Sequence, residues 1–297
     1  MTHVLVLIAN PARAGLHDSI AEQTRAALAE AGAAPGPVDW LAPGIAAEIP
    51  FAGDPAVARG AALVTLAQHP IDGAVLPAAG RRKGLLIADM ESTLIENEFL
   101  DDIAARAGIG PKIADITRRA MAGELDFAGA LRERVSMLRG LNADLLDDVY
   151  GRLRFMPGAR TLIATMRRHG KVTAIVSGGF RFFAERVRAT LGAELAEANE
   201  LEVVSGRLTG KVREPIFDRQ SKRATLERLA AARGLSPTDT IAVGDGANDI
   251  EMVRAAGLGV AFRAKPILAE AAAVAIRHGD LTALLYLQGY RQSEFDG

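Results

Sequence analysis

The stretch Leu85-Leu86-Ile87-Ala88-Asp89-Met90-Glu91-Ser92-Thr93-Leu94-Ile95 constrains the fold of this chain more than any other. An apolar run of strand length ends in two carboxylates one residue apart, followed at once by two hydroxyls. That is the pattern of a buried parallel strand terminating at a reactive site. In open α/β sheets the ligand crevice lies beyond the carboxyl ends of the strands, so Asp89 is expected to meet substrate rather than solvent. Asp89 and Glu91 alternate along the chain and can share that crevice while Met90 turns away. Read alone, the same residues also suit an acidic turn in which Ser92 or Thr93 caps the next helix.

Composition narrows the classes. The 297 residues suffice for two ordinary domains, and 49% hydrophobic with 24% charged content is that of a globular chain. Net charge is -1 and the basic residues are scattered apart from Arg81-Arg82-Lys83, so no nucleic-acid partner is expected. The absence of cysteine excludes disulfides, thiolate metal sites and cysteine nucleophiles, and the cytoplasm is the expected compartment. No apolar run approaches the roughly 20 residues of a membrane span. His3–Ala9 reads as a first strand rather than the core of a signal peptide, since Asn10-Pro11 ends it early. The histidines His3, His17, His69, His169 and His278 are dispersed, which gives no basis for a zinc site or a serine-histidine triad.

Residues 1–80 form a unit of their own by pattern. Strands are expected near 3–9, 38–41, 46–51 and 73–76, with helices near 16–31 and 55–69. The order β-α-β-β-α-β is ferredoxin-like. Ala78-Ala79-Gly80-Arg81-Arg82-Lys83-Gly84 then reads as a linker to a second domain over residues 81–297. Residues from about 97 to 155 show only helical periodicity, an all-helical insertion able to cover the strand ends as a lid. Beyond Pro157-Gly158 helices alternate with apolar strands near 172–176, 240–243 and 259–261, the rhythm of a doubly wound parallel sheet. A hairpin is expected over 201–212 and a helix over 221–233.

Three further stretches carry chemistry. Val172–Val176 ends in Ser177-Gly178-Gly179, which offers a hydroxyl and unobstructed backbone N–H groups to an anion. Thr240–Val243 ends in Gly244-Asp245-Gly246-Ala247-Asn248-Asp249, an oxygen-only cluster suited to Mg²⁺. Lys222 stands at the start of a helix, where the helix dipole does not favour a cation unless an anion is near.

Taken in order, these pieces resemble the haloacid dehalogenase superfamily from Gly84 to about Leu287, and within it the phosphoserine phosphatase family. Glu98, Phe127 and Leu131-Arg132-Glu133-Arg134-Val135 belong to the same match. The resemblance implies that Asp89 attacks phosphorus to form an aspartyl-phosphate and that Glu91 acts as acid and base, where the family usually has aspartate. It implies Mg²⁺ held by Asp89, the Glu91 carbonyl and Asp245, with Asp249 orienting its waters. Ser177, Gly178 and Lys222 would hold the phosphoryl oxygens, assisted by Asn248. Glu98 and Arg134 would receive the ammonium and carboxylate of O-phospho-L-serine, and the reaction would be the last step of serine biosynthesis. Two other readings stay open: transfer of the phosphoryl group to an alcohol such as homoserine or from another small phosphomonoester, and an amino-acid-binding regulatory protein without turnover. The N-terminal unit is similar, in element order alone, to small regulatory domains; it is expected to bind an amino acid, mediate a homodimer or shield the core.

Overall fold

A computed structural model describes residues 1–121 and 124–297. The chain opens with β1 (His3–Ala9), α1 (Asp18–Glu30), β2 (Ala34–Pro35), β3 (Asp39–Ala42), β4 (Ala46–Ala52), α2 (Pro55–Leu66) and β5 (Ile71–Pro77). β1 lies between β4 and β5, antiparallel to both, while β2 and β3 share the outer edge of β4. This is the ferredoxin-like arrangement expected from the element order. Both faces of β1 are buried, by alternation. Leu5, Leu7 and Ala9 pack with Ile20, Leu28, Ala58 and Ala62 of the two helices, whereas Val4, Val6 and Ile8 join the cluster of the following sheet.

β6 (Leu85–Asp89) follows, then the helices α3 (Phe99–Arg106), α4 (Gly110–Met121), α5 (Phe127–Ser136) and α6 (Leu145–Tyr150). The chain enters and leaves this helical insertion side by side. Ile95 pairs with Phe155 in an antiparallel bridge, Glu96 N–H donates to Arg154 O, and Met156 N–H donates to Leu94 O. α7 (Ala159–Arg168), β7 (Val172–Phe180), α8 (Arg181–Leu191) and β8 (Leu195–Asn199) come next. A hairpin, β9 (Leu201–Val204) and β10 (Arg207–Val212), precedes α9 (Arg219–Ala232), β11 (Thr240–Gly244), α10 (Ile250–Ala255), β12 (Leu258–Phe262), α11 (Pro266–Ala271), β13 (Val274–Ile276) and α12 (Ala283–Leu287).

The parallel sheet has the order β13-β12-β11-β6-β7-β8. β6 is central because it is apolar on both faces. Leu85 and Ile87 pack with Leu226, Leu229, Met252 and Leu268 on one side, and Leu86 and Ala88 with Leu162, Ile163, Phe183 and Leu284 on the other. The chain adds β7 and β8 on one side of β6 and then β11, β12 and β13 on the other, so the end of β6 is a topological switch point. The helical insertion closes over that end. Phe99 of α3 stacks on Phe183 of α8, with ring centroids 3.7 Å apart. The hairpin braces α5 from the far side, where Gly140 N–H donates to Leu208 O and Leu208 N–H to Leu141 O. Among the described residues no helix is long and apolar enough to cross a membrane.

β8 was not foreseen, and it forms an edge of the parallel sheet. The turn after β11 runs as a 3-10 helix over Ala247–Asp249 before α10 starts.

Candidate active site

β6 delivers Asp89 at its last residue, and the chain then turns sharply. Met90 O accepts from the N–H groups of Thr93, Leu94 and Ile95, and Ser92 takes a left-handed φ of 55°. The turn points the Ser92 hydroxyl at Glu98, where it donates to Oε1 at 2.6 Å. It also carries Glu91 to the start of α3, where Oε1 accepts from Phe99 N–H at 2.8 Å. The other Glu91 oxygen accepts from Ser177 Oγ at 3.4 Å, across the strand boundary.

β11 supplies the second wall. Asp249, fully buried, folds back so that Oδ2 accepts from the N–H groups of Asp245 and Gly246, each at 3.2 Å. A Cβ at Gly244 would run into that carboxylate, so only glycine allows the turn to close. α9 supplies the cation. Asp218 caps it by accepting from Gln220 and Ser221 N–H, which puts Lys222 in the first turn. The Lys222 side chain is 1% exposed, and its Nζ donates to Asp89 Oδ1 and Asp249 Oδ1, both at 2.6 Å.

Asp89, Asp245 and Asp249 each present a carboxylate oxygen within 4.8 Å of the others. Such a cluster, with Asp89 and Asp249 buried and all its ligand atoms oxygen, fits a hard divalent cation. Asp249 accepts hydrogen bonds at both oxygens and Asp89 at Oδ1, while Asp245 Oδ2 lies 3.7 Å from Lys265 Nζ.

The electrostatics follow from burial. Desolvation pushes the Asp89 carboxyl well up, reinforced by Asp249 and opposed by Lys222. Desolvation pushes the Lys222 ammonium down, but Asp249 and Asp89 outweigh it and hold it above its ordinary value. Glu91 is pushed up to about 7, first by burial and then by the charge of Glu98. Burial likewise raises Glu98, against the hydrogen bond from Ser92, and raises Asp245, against Lys265.

Glu98, from the mouth of the helical insertion, and Arg134, from α5, face the same cavity of about 160 Å³ as Asp89, Glu91, Gly178 and Asp245. Arg134 is mostly buried, with desolvation pulling its guanidinium down, and its Nε donates to Ala130 O of its own helix at 3.3 Å. Asn248 lines this cavity and a wider, mostly apolar vestibule of about 710 Å³ that also touches Phe127 and Arg134. The residues singled out in the sequence thus converge on one place. Sequence reading missed Lys265, whose Nζ lies 3.7 Å from Asp245 Oδ2 at the rim. Its position just beyond the end of β12, where the neighbouring strands also carry site residues, was the available signal.

The doubly wound sheet with its helical insertion therefore carries acids at two adjacent strand ends and a buried lysine between them. The chain belongs to the haloacid dehalogenase-like hydrolase family, which it matches over residues 86–254. Its relatives are more particular. It is 45% identical to phosphoserine phosphatase of Streptococcus thermophilus over 67% of this chain and 93% of that protein. It is 46% identical to phosphoserine phosphatase of Streptomyces coelicolor over 76% of this chain but 56% of that protein, so the chain spans only about half the length of some curated relatives it matches. The unliganded crystal structure of a probable phosphoserine phosphatase from Vibrio cholerae superposes with a TM-score of 0.82 at 33% identity, covering 99% of this chain and 88% of that one.

Proposed function

We propose that this chain is a Mg²⁺-dependent phosphatase that hydrolyses O-phospho-L-serine to serine and phosphate through a phosphorylated Asp89. The observation that carries the reading is the buried Lys222 ammonium bound to both Asp89 and Asp249, with Glu98 and Arg134 facing the same cavity. A nucleophile held by a cation at a phosphate-sized site, with one acid and one base to receive a leaving group, fits a phosphorylated amino acid and poorly fits a sugar phosphate.

Asp89 attacks phosphorus while the bond to the serine oxygen breaks. Glu91 gives its proton to that departing oxygen, then takes one from the water that attacks phospho-Asp89, which releases phosphate and restores the carboxylate. Asp89, Asp245 and the Glu91 carbonyl would hold Mg²⁺, whose charge offsets the repulsion between a carboxylate and a phosphate dianion. Ser177, the Gly178 backbone and Lys222 hold the phosphoryl oxygens as charge shifts among them, and Asn248 assists. Asp249 fixes Lys222 and the Asp245-Gly246 turn. Glu98 receives the substrate ammonium and Arg134 its carboxylate.

Phosphate release tests this directly. With Mg²⁺, O-phosphoserine is expected to turn over much faster than phosphoethanolamine, which lacks the carboxylate. Arg134→Ala is expected to cost phosphoserine about 1.5–3 kcal/mol in kcat/KM and phosphoethanolamine little. An equal loss on both substrates would overturn the amino-acid assignment. Transfer to an alcohol is the second reading, since the vestibule beside Phe127 and Arg134 has room for an acceptor. Phosphohomoserine formed when homoserine is added would establish it.

A further inference from the structure

The pairing of β7 with β8 breaks where the phosphate cradle begins. Ser177 aligns with Ala198, but the next aligned pair is Phe180 with Asn199, so Gly178 and Gly179 bulge out of the ladder. A bulge leaves backbone groups without their sheet partners, and buried backbone groups need others. The Gly179 N–H finds Ser177 Oγ at 2.9 Å. The Gly178 carbonyl finds the Asn199 side chain, whose Nδ2 donates to it at 2.9 Å.

Asn199 does more than fill that gap. The second Nδ2 hydrogen goes to Phe217 O at 3.0 Å, and Oδ1 accepts from Phe217 N–H at 2.7 Å. The residue is 2% exposed. A carboxamide is the side chain that offers two donors and an acceptor from one small planar group, and all three directions are used. Phe217 directly precedes Asp218, the cap of α9, and Lys222 stands in the first turn of that helix. A single buried side chain therefore ties the bulged peptide between Gly178 and Gly179 to the point from which Lys222 is launched.

We propose that Asn199 is a positioning residue for phosphoryl transfer, setting the Ser177-Gly178-Gly179 cradle and the Lys222 helix at a fixed separation. The inference rests on the reading above that these two elements hold the phosphoryl group. Asn199 lies behind the cradle and acts only through the cradle and the Lys222 helix, so it bears on phosphoryl binding in every substrate and not on recognition of the leaving group.

The test uses the full chain with Mg²⁺, its Asn199→Ala and Asn199→Asp variants, two substrates and inorganic phosphate as a product inhibitor. Asn199→Asp keeps size and the acceptor for Phe217 N–H but has no hydrogen for the two carbonyls. Both variants are expected to lose about tenfold or more in kcat/KM, by the same factor on phosphoserine and phosphoethanolamine, with phosphate inhibition weakened in parallel. A merely structural role would lower the melting temperature and leave per-molecule turnover and phosphate affinity intact. Folded variants within about twofold of the parent in both quantities would overturn the proposal. So would a loss on one substrate only. If neither variant folds, the parent decides: the ¹⁵N-labelled Asn199 carboxamide signals are expected to shift on titration with phosphate, and signals that stay put would overturn it. A parent that neither binds phosphate nor turns over a phosphomonoester would reject the underlying reading as well. An active parent with unaffected variants would reject Asn199 alone.

Discussion

Two residues after Asp89, a glutamate has to fold its longer side chain into a site where an aspartate would reach directly. The surroundings of Glu91 take up the extra methylene. One oxygen is drawn to Phe99 N–H at the start of α3 and the other to Ser177, and a Cβ at Gly179 would collide with the carboxylate. Burial and the charge of Glu98 push Glu91 up to about 7, close to neutrality, which suits the proposed role of giving a proton and then taking one. In the proposed mechanism the protonated form is the competent one for the first step, and it is lost as pH rises. The kcat/KM for phosphoserine is therefore expected to fall about tenfold per pH unit above about 7, while p-nitrophenyl phosphate, whose leaving group needs no proton, shows no such limb. Glu91→Gln removes the limb and slows phosphoserine. Identical profiles for the two substrates would contradict the assignment of Glu91 as the acid.

The elements differ in how plainly the sequence announces them, and the reason is burial. β6, β7 and β11 are covered on both faces, so each appears as a mainly apolar run, broken in β7 only by the buried Thr173, that ends where the site begins. β8 sits at the sheet edge and reads Leu-Ala-Glu-Ala-Asn, with small residues and a charge that carry no strand signal. Asn199 was invisible for that reason, since its meaning depends on a bulge in a neighbouring strand. Lys222 was legible as a misplaced cation at a helix start, but not as a buried one. Its partners Asp89 and Asp249 lie 133 and 27 residues away, and local pattern says nothing about such distances. The helical insertion read correctly as helices with apolar faces, because α3 and α5 bury Phe99, Ile103, Leu131 and Val135 at helical spacing.

At the scale of the whole molecule, the N-terminal sheet is built into the rest rather than hung from it. Val4, Val6, Ile8, Leu41 and Leu76 share a cluster with Leu281, Leu284 and Leu285 around α12. The Asp72 carboxylate accepts from the N–H groups of Arg277, His278 and Gly279, and Arg81 pairs with Glu48 at 2.6 Å. Each such apolar side chain contributes about 1.5–3 kcal/mol when buried, so five together rival the roughly 5–15 kcal/mol net stability of a domain. A chain beginning at residue 80 keeps every assigned site residue, yet it is expected to melt at lower temperature and to aggregate through the uncovered α12 face. A truncated chain that keeps the parent's oligomeric state and melting temperature would show that the two sheets are independent units. The proposed chemistry turns on one residue, Asp89, and mass spectrometry reads it. Acid-quenched enzyme mixed with O-phosphoserine and Mg²⁺ is expected to carry a single phosphoryl group on the peptide containing Asp89, absent from Asp89→Asn, which also loses turnover. Turnover without label on that peptide, or undiminished in Asp89→Asn, would contradict the account.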